Sequence, residues 1–172
     1  MDTDALRDRL AACHEDAFAW ALSCCRRDRR EAEEVLQTAY LKVLDGRARF
    51  DGRSTFRTWL FAVIRRTAAD HTRRQRVREW WLAVLGRGTA DDAGNLEPEQ
   101  SLHDGERRTV LRAALAKLSE RQRQVLQLVF YHGCTVEQAA AVMGVGVGSA
   151  RTHYARAKDR MRALLAELGW TE

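Results

Sequence analysis

Side chains suited to DNA contact lie on one face of a helix predicted near the C-terminus. From Val147 to Leu168, apolar residues recur at alternating spacings of three and four, which predicts a helix with one buried stripe. The opposite face carries Gly148, Arg151, Thr152, Ala155 and Asp159, and its flanks carry Arg156 and Lys158. Hydrogen-bonding groups at a helix start suit base edges, and the cations that follow suit phosphates.

A shorter amphipathic segment precedes this helix and completes a motif. Its apolar side carries Val136, Ala139, Ala140 and Met143, and a turn at residues 144–146 follows, with glycines that tolerate positive φ. The pattern predicts a helix-turn-helix whose second helix can enter a DNA major groove. On periodicity alone, an αα-hairpin with a solvated basic face fits equally well. The polar groups at the start of the second helix favour DNA.

A second candidate for nucleic-acid contact is the long helix predicted from Phe56 onward. Its first turns are aromatic and apolar, and they include Trp59. Its middle is basic and contains Arg65, Arg66, Arg73, Arg74, Arg76 and Arg78. Unpaired bases stack on aromatic rings for about 1–3 kcal/mol each, while cations hold the phosphates. For this helix considered in isolation, we slightly favour the alternative in which the rings belong to the core and the arginines lie on a solvated surface.

Charge is distributed unevenly along the 172 residues. The net charge of +5 and the isoelectric point of about 9.4 suit a polyanionic partner. Between Arg47 and Arg78 there are ten arginines and two aspartates, a local net charge of +8, whereas residues 88–106 hold six acids and no lysine or arginine. A hydrophobic fraction of 45%, a single proline and the helical periodicity predict an all-α protein.

No residue pattern points to catalysis, a cofactor or a metal ion. Paired carboxylates, a nucleophile motif and a phosphate-binding loop are all absent from the sequence, so we expect no enzymatic reaction. Cys13, Cys24, Cys25 and Cys134 lack metal-ligand spacing and predict reduced thiols in a cytoplasmic protein. The acidic N-terminus predicts no signal peptide, and no apolar run approaches the roughly 20 residues needed for membrane insertion.

Two further helices are predicted before the basic one, starting near Asp4 and near Glu31. Each has its own apolar stripe. The second helix leaves Glu34, Gln37 and Leu41 on or near its outer side. An exposed leucine alone means little, but one beside acids and a glutamine is compatible with a protein-binding surface.

Five sequence motifs follow one another along the chain. They are EAEEVLQ at residues 31–37, FDGRSTFRTWL at residues 50–60, the set Arg65, Asp70, Arg73 and Arg74, LSERQRQVL at residues 118–126, and the helix-turn-helix. The first three resemble region 2, and the last two region 4, of the extracytoplasmic-function (ECF) sigma factors of bacterial RNA polymerase. The resemblance covers about residues 15–78 and 108–168. Where the family commonly has a proline, Ser119 stands here and predicts a capping box with Gln122.

The resemblance implies a transcription initiation factor that binds core RNA polymerase, recognises a promoter and helps to open the duplex. The residues implied at the polymerase are Glu34, Gln37 and Leu41. At the minus-10 element, the family contacts a flipped base and single-stranded DNA. The residues implied there are Arg53, Ser54, Thr55, Phe56, Trp59, Arg65, Arg66, Asp70, Arg73 and Arg74. Those implied at the duplex minus-35 element are Gly148, Arg151, Thr152, His153, Arg156 and Lys158. Capture of a flipped base in a fitted pocket offsets an unstacking cost of about a few kcal/mol.

We expect two small helical domains joined by a flexible linker. Residues 1–86 form the region 2-like domain, residues 87–105 the acidic linker, and residues 106–172 the region 4-like domain with the helix-turn-helix. Trp80 and Trp81 belong to an apolar cluster just before the linker. This cluster either packs against the chain itself, which we favour, or docks the polymerase or an inhibitory anti-sigma factor.

The main alternative is a stand-alone helix-turn-helix transcriptional regulator. Such a protein binds a duplex operator without polymerase, usually as a dimer on palindromic half-sites. Nothing in the sequence resembles a dimerisation helix, and this alternative leaves residues 15–78 without a role. We therefore predict a cytoplasmic ECF-type sigma factor without a cofactor, whose partners are core RNA polymerase and promoter DNA, both duplex and single-stranded.

Overall fold

A computed structural model describes the chain over residues 3–84 and 102–168. Within these residues all regular structure is helical and no strand occurs, which confirms the predicted all-α fold. The chain divides into two compact units, and residues 85–101, which include most of the predicted linker, lie outside the described residues. The first unit contains α1 (Thr3–Ala12), α2 (His14–Cys24), α3 (Arg29–Leu44) and α4 (Phe56–Val84), and the second contains α5 (Leu102–Ala116), α6 (Glu120–Leu126), α7 (Val136–Met143) and α8 (Val147–Glu167).

The N-terminal amphipathic segment forms two helices rather than the single helix that its stripe predicts. At the junction, the N–H of Cys13 donates to the carbonyl oxygen of Leu10 at 3.2 Å, a three-residue turn that tightens the end of α1. α2 then begins at His14. Leu10, Ala17 and Ala21, all from the predicted stripe, are buried on both sides of this junction. The periodicity therefore predicted the buried face but not the break.

The core of the first unit lies between α2, α3 and α4. The rings of Trp20 and Phe61 stack with 5.8 Å between centroids, and the indole N–H of Trp20 donates to the carbonyl oxygen of Phe61 at 3.0 Å. This bond lets a large ring be fully buried with its polar atom satisfied. The predicted apolar face of α3 is Ala32, Val35, Leu36, Ala39, Tyr40 and Val43, and all of these are buried except Tyr40, which is half-buried. The remaining faces of α3 and α4 are left to solvent.

The charged break between α2 and α3 is a left-handed turn. Arg26 and Arg27 have φ values of 53° and 68°, and the N–H of Arg27 donates to the carbonyl oxygen of Leu22 at 2.7 Å. Such a bond closes a helix end. Asp28 then caps α3, because its carboxylate accepts the N–H of Glu31 at 2.9 Å.

Capping boxes start two helices of the second unit. At α6, the N–H of Gln122 donates to Ser119 Oγ at 3.4 Å, and the N–H of Ser119 donates to Gln122 Oε1 at 3.1 Å, as predicted. Thr135 and Gln138 form the same arrangement at α7, where the sequence analysis did not predict one. α5 begins at Leu102, before residue 106, where the predicted region 4-like domain starts.

A π-helical turn, Gln127–Tyr131, follows α6 directly, where the apolar period predicts only α-helix over residues 120–131. The N–H of His132 donates to the carbonyl oxygen of Gln127 at 3.1 Å, a wider turn than in an α-helix. Leu128 is buried, whereas Phe130 and Tyr131 are largely exposed.

The helix-turn-helix has the predicted order and a well-defined corner. Gly144 ends α7 with φ 64° and ψ 40°, in the left-handed region that favours glycine. Gly146 has φ −65°, so only the first of the two turn glycines uses a positive φ. In the same corner, Arg121 Nη1 donates to the carbonyl oxygen of Met143 at 3.0 Å. α6 thereby holds the C-terminal end of α7.

Candidate nucleic-acid interface

α8 exposes the residues predicted to enter the major groove. The stripe residues Ala150, Ala157 and Leu164 are buried where α8 packs on α6 and α7, although Val147 at the helix start is exposed. On the other side, the exposed residues are Gly148, Arg151, Thr152 and Arg156, and the half-buried residues on the flanks are His153 and Lys158. The five side chains and the backbone at Gly148 are therefore at least partly accessible to a partner.

Arg151 is tied to the preceding helix. Its Nη2 donates to Glu137 Oε1 at 2.9 Å, and Glu137 lies in the first turn of α7. Hydrogen bonding holds the pKa of the Glu137 carboxyl below its usual range. The largest contribution comes from the backbone N–H of Glu137, and the next largest comes from Arg151. No sequence pattern singles out Glu137, because only the tertiary structure brings the starts of the two helices together.

Two other groups on this face make contacts within α8. The hydroxyl of Thr152 donates to the carbonyl oxygen of Gly148 at 3.0 Å, which leaves its methyl group and oxygen lone pairs for a partner. The ammonium of Lys158 lies 4.7 Å from the centroid of the Tyr154 ring. A cation held against an aromatic ring in this way is restricted to the flank of the helix.

The loop before α4 is fixed by its last residue. Thr55 Oγ1 accepts the N–H of Thr58 at 3.1 Å and so caps α4, which begins at Phe56 as predicted. Arg53 and Thr55 are exposed, and Ser54 is half-buried. Phe56 is only 6% exposed, so its ring belongs to the core and supports the loop from within.

Three aromatic rings form a cluster beneath this loop. The centroids of Phe50, Phe56 and Trp59 lie 5.3–5.5 Å apart. The guanidinium of Arg9 lies over two of them, 5.3 Å from the Phe50 centroid and 4.6 Å from the Phe56 centroid. Trp59 is half-buried, so part of its indole remains accessible. Phe56 therefore lies in the core, as one of the two predicted alternatives has it, whereas Trp59 lies at the edge of the core.

The basic part of α4 contains an acid that pairs with cations. Arg66, Arg73 and Arg74 are exposed and Arg65 is half-buried. Asp70 Oδ2 lies 3.7 Å from Lys42 Nζ of α3, and Asp70 Oδ1 lies 3.5 Å from Arg73 Nη2. The Asp70 carboxylate therefore orients two cations at the edge of this surface.

The outer face of α3 carries the residues predicted to bind the polymerase. Glu34 and Gln37 are exposed, and Leu41 is 54% exposed. Leu44 is also exposed and lies one turn beyond Leu41. Leu44 is not among the residues predicted for this face, although its spacing of three from Leu41 places the two leucines on the same side of a helix.

Trp80 and Trp81, near the end of α4, are 59% and 53% exposed, with their ring centroids 5.0 Å apart. They are therefore not part of the core of the first unit.

Among the described residues, no group of three potential ligands is placed to hold a metal ion. None of the helices described in residues 3–84 and 102–168 has the length and apolar composition to cross a bilayer.

Comparisons with known proteins agree with this architecture. Residues 10–78 match the Sigma-70 region 2 family, and residues 108–161 match Sigma-70, region 4. The chain is 33% identical over 170 residues to the ECF RNA polymerase sigma factor SigC of Mycobacterium tuberculosis, covering 95% of this chain and 83% of the relative. It is 32% identical over 165 residues to the ECF RNA polymerase sigma factor EcfG of Rhodopseudomonas palustris, covering 95% and 86%.

The fold is also similar to a solved structure, that of the sigma factor RpoE from Bartonella quintana in complex with the anti-sigma factor NepR. The TM-score is 0.71 at 24% identity, with 94% of this chain and 97% of that chain covered. Two helical units, one with a basic long helix and one with a helix-turn-helix, define a DNA-binding transcription factor. The chain belongs to the ECF RNA polymerase sigma factor family.

Proposed function

We propose that this chain directs RNA polymerase to promoters by reading two elements with two separate units. Residues 106–172 contact the duplex minus-35 element, residues 1–86 contact the minus-10 element, and residues 87–105 connect them. The observation that carries the proposal is that the predicted DNA faces of α4 and α8 are both solvent-accessible and rich in arginine. The apolar stripes beneath them are buried, so these faces are available for a polyanion.

At the minus-35 element, α8 enters the major groove with its first turns. Arg151 reads a base edge, since its planar guanidinium can donate two parallel hydrogen bonds to a guanine. Gly148 permits close approach, and Thr152 offers a methyl group and acceptor lone pairs. Arg156, His153 and Lys158 contact phosphates from the sides of the helix.

At the minus-10 element, the loop and α4 divide the work of opening the duplex. Arg53, Ser54 and Thr55 surround a flipped base, and Phe56 supports that pocket from the core. Trp59 offers a ring for stacking, which offsets part of the unstacking cost. The cationic residues of α4 hold the separated strand, with Asp70 orienting them: Arg65, Arg66, Arg73 and Arg74.

The polymerase docks on the outer face of α3, at Glu34, Gln37 and Leu41. Support comes from their shared exposure and from Leu44, which extends the apolar part of the same face. We further propose that an anti-sigma factor is a regulatory partner and that the protein acts in the cytoplasm without catalysing a reaction of its own.

Transcription assays with matched variants test this division of roles. Core polymerase loaded with wild-type protein, Arg151→Ala or Arg74→Ala is assayed on promoters selected from a randomised pool. Arg151→Ala should weaken minus-35 discrimination by about 1–3 kcal/mol, and Arg74→Ala should slow opening with that discrimination unchanged. Arg160→Ala on α8 is the control, because Arg160 faces away from Arg151 and pairs with Glu167 at 3.8 Å. Unchanged preference at every minus-35 position in Arg151→Ala contradicts the proposal.

A further inference from the structure

We infer that Glu137 is a positioning residue that holds Arg151 for base recognition and thereby sharpens promoter discrimination. This inference rests on the proposed role of Arg151 at the minus-35 element. Glu137 belongs to α7 and Arg151 to α8, so their 2.9 Å bond spans the corner of the helix-turn-helix. The side chain that is proposed to read DNA is therefore oriented by the helix that precedes it.

The pair is exposed, with side-chain accessibilities of 55% for Glu137 and 68% for Arg151. Glu137 extends from the first turn of α7, where the positive end of the helix dipole favours its carboxylate. Thr135 and Gln138 form the capping box that fixes this helix start, with bonds of 2.9 and 3.1 Å. Most exposed ion pairs contribute little because two mobile side chains must be immobilised together. Here the capping box fixes the backbone from which Glu137 extends, so one of the two side chains starts from an ordered position.

A partner on a capped helix start restricts the orientation of the Arg151 guanidinium, and base reading depends on that orientation. Bidentate contact with a guanine needs the planar group in one orientation, and ordering a long side chain at an interface costs free energy. The bond to Glu137 uses Nη2, which has a second hydrogen, so the other donors of Arg151 remain available.

The same carboxylate gives the inference a distinctive signature. A negative charge near the groove opposes phosphates, so Glu137 lowers affinity for DNA of any sequence. A positioning role therefore predicts opposite effects when the charge is removed. Discrimination at the base read by Arg151 should fall, whereas binding to DNA without a promoter should stay equal or rise.

Promoter competition with the reconstituted holoenzyme tests this signature. Wild-type protein, Glu137→Gln, Arg151→Ala and the double variant are bound to promoters that differ by single bases across the minus-35 element. Arg151→Ala should lose about 5- to 150-fold discrimination at one position. Glu137→Gln should lose about three- to tenfold at that same position, and the double variant should lose no more than Arg151→Ala.

Glu167→Gln is the matched control, because Glu167 is an exposed glutamate that pairs with Arg160 on another side of α8. If Arg151→Ala loses discrimination and Glu137→Gln loses none, the inference is wrong and the proposed function stands. If Glu137→Gln weakens binding to all sequences together and lowers the melting temperature, its role is only structural and the inference is wrong. If Arg151→Ala loses discrimination at no position, the proposed role of Arg151 fails, and the inference fails with it.

Discussion

The ammonium of Lys42 on α3 lies 3.7 Å from the carboxylate of Asp70 on α4 and donates to the hydroxyl of Thr67 at 3.1 Å. The other oxygen of the same carboxylate lies 3.5 Å from Arg73. One acid therefore connects the helix that we propose for polymerase docking with the helix that we propose for DNA opening. The pair is partly exposed and screened by water, so its contribution is to orientation more than to stability.

Replacing Asp70 by asparagine tests this orienting role. We expect Asp70→Asn to lower the free energy of unfolding by less than about 1 kcal/mol, because the ion pair is partly exposed. Promoter opening should slow, since Arg73 and Lys42 lose their common partner. Urea titration and opening kinetics measure the two effects, and Asp45→Asn, which removes a pair with Arg47 in the loop, is the control. A changed preference among minus-10 bases would show that the carboxylate itself contacts DNA.

Trp59 tests whether the aromatic cluster participates in opening. Trp59→Ala should impair opening of a duplex promoter more than binding of the closed complex, because a stacking surface for an unpaired base is lost. On a template with a mismatched, already open minus-10 region, most of the defect should disappear. Permanganate footprinting reports the open bases in both cases. A normal opening rate on duplex DNA would show that the ring serves only the packing with Phe50 and Phe56.

Trp80 and Trp81 distinguish packing from docking. Because more than half of each side chain is exposed, replacing both by glutamine should change the free energy of unfolding by about 0.5 kcal/mol or less. Affinity for a protein partner should fall, which co-elution with core polymerase and with an anti-sigma factor can measure. Loss of folded protein in the double variant would instead favour packing within the chain, as the sequence analysis did.

Two glycines in the helix-turn-helix should respond in opposite ways to the same change. Gly144→Ala should destabilise the protein by about 1 kcal/mol or more, because φ is +64°. Gly148→Ala should stabilise it by about 0.4–1 kcal/mol, since the position is helical and a Cβ meets open space. Thermal unfolding measures both. If Gly148 lies in the groove as proposed, its alanine variant binds the minus-35 element more weakly despite its greater stability.

Stability should decline at alkaline pH because of a buried thiol. Burial, with smaller contributions from Glu31 and Asp28, raises the pKa of Cys25 from 9.0 to about 12. Between these values the unfolded thiol loses its proton and the native thiol keeps it, so stability is complete below pH 9 and falls as pH rises. The loss from this group at pH 10 is about 1 kcal/mol. Burial also raises the pKa of Tyr40 from 10.0 to about 12, which adds to the decline above pH 10.

Urea titrations at pH 8 and pH 10 measure the decline, and Cys25→Ala provides the comparison. The relevant quantity is the difference in stability between the two pH values for each protein, because this difference does not depend on the absolute stability of the variant. We expect a smaller difference in Cys25→Ala than in the wild type. Equal differences would mean that this thiol does not cause the alkaline loss.

Local patterns predicted much of the fold from the sequence. The buried stripe of α8 needs only the helical period, and the cap at Ser119 needs only a spacing of three, so neither depends on distant contacts. The break at Cys13 and the π-helical turn after Leu126 were missed. Both keep the apolar period nearly intact, so the sequence pattern contains little sign of them.

The site was predictable as a set of residues but not as a set of contacts. Motif resemblance pointed to Arg151 and Asp70 individually. It could not show that Glu137 orients the first or that Lys42 pairs with the second, because these partners come from other helices. The exposure of the Trp80 and Trp81 indoles likewise depends on tertiary packing, which the composition of the sequence does not determine.

Run-off transcription with purified core RNA polymerase on a pool of promoter fragments from the source genome tests the central claim most directly. The account predicts discrete transcripts that require this protein and that share minus-35 and minus-10 elements. Absence of transcripts, with purified protein that also fails to co-elute with core polymerase, would contradict it and favour a stand-alone helix-turn-helix regulator.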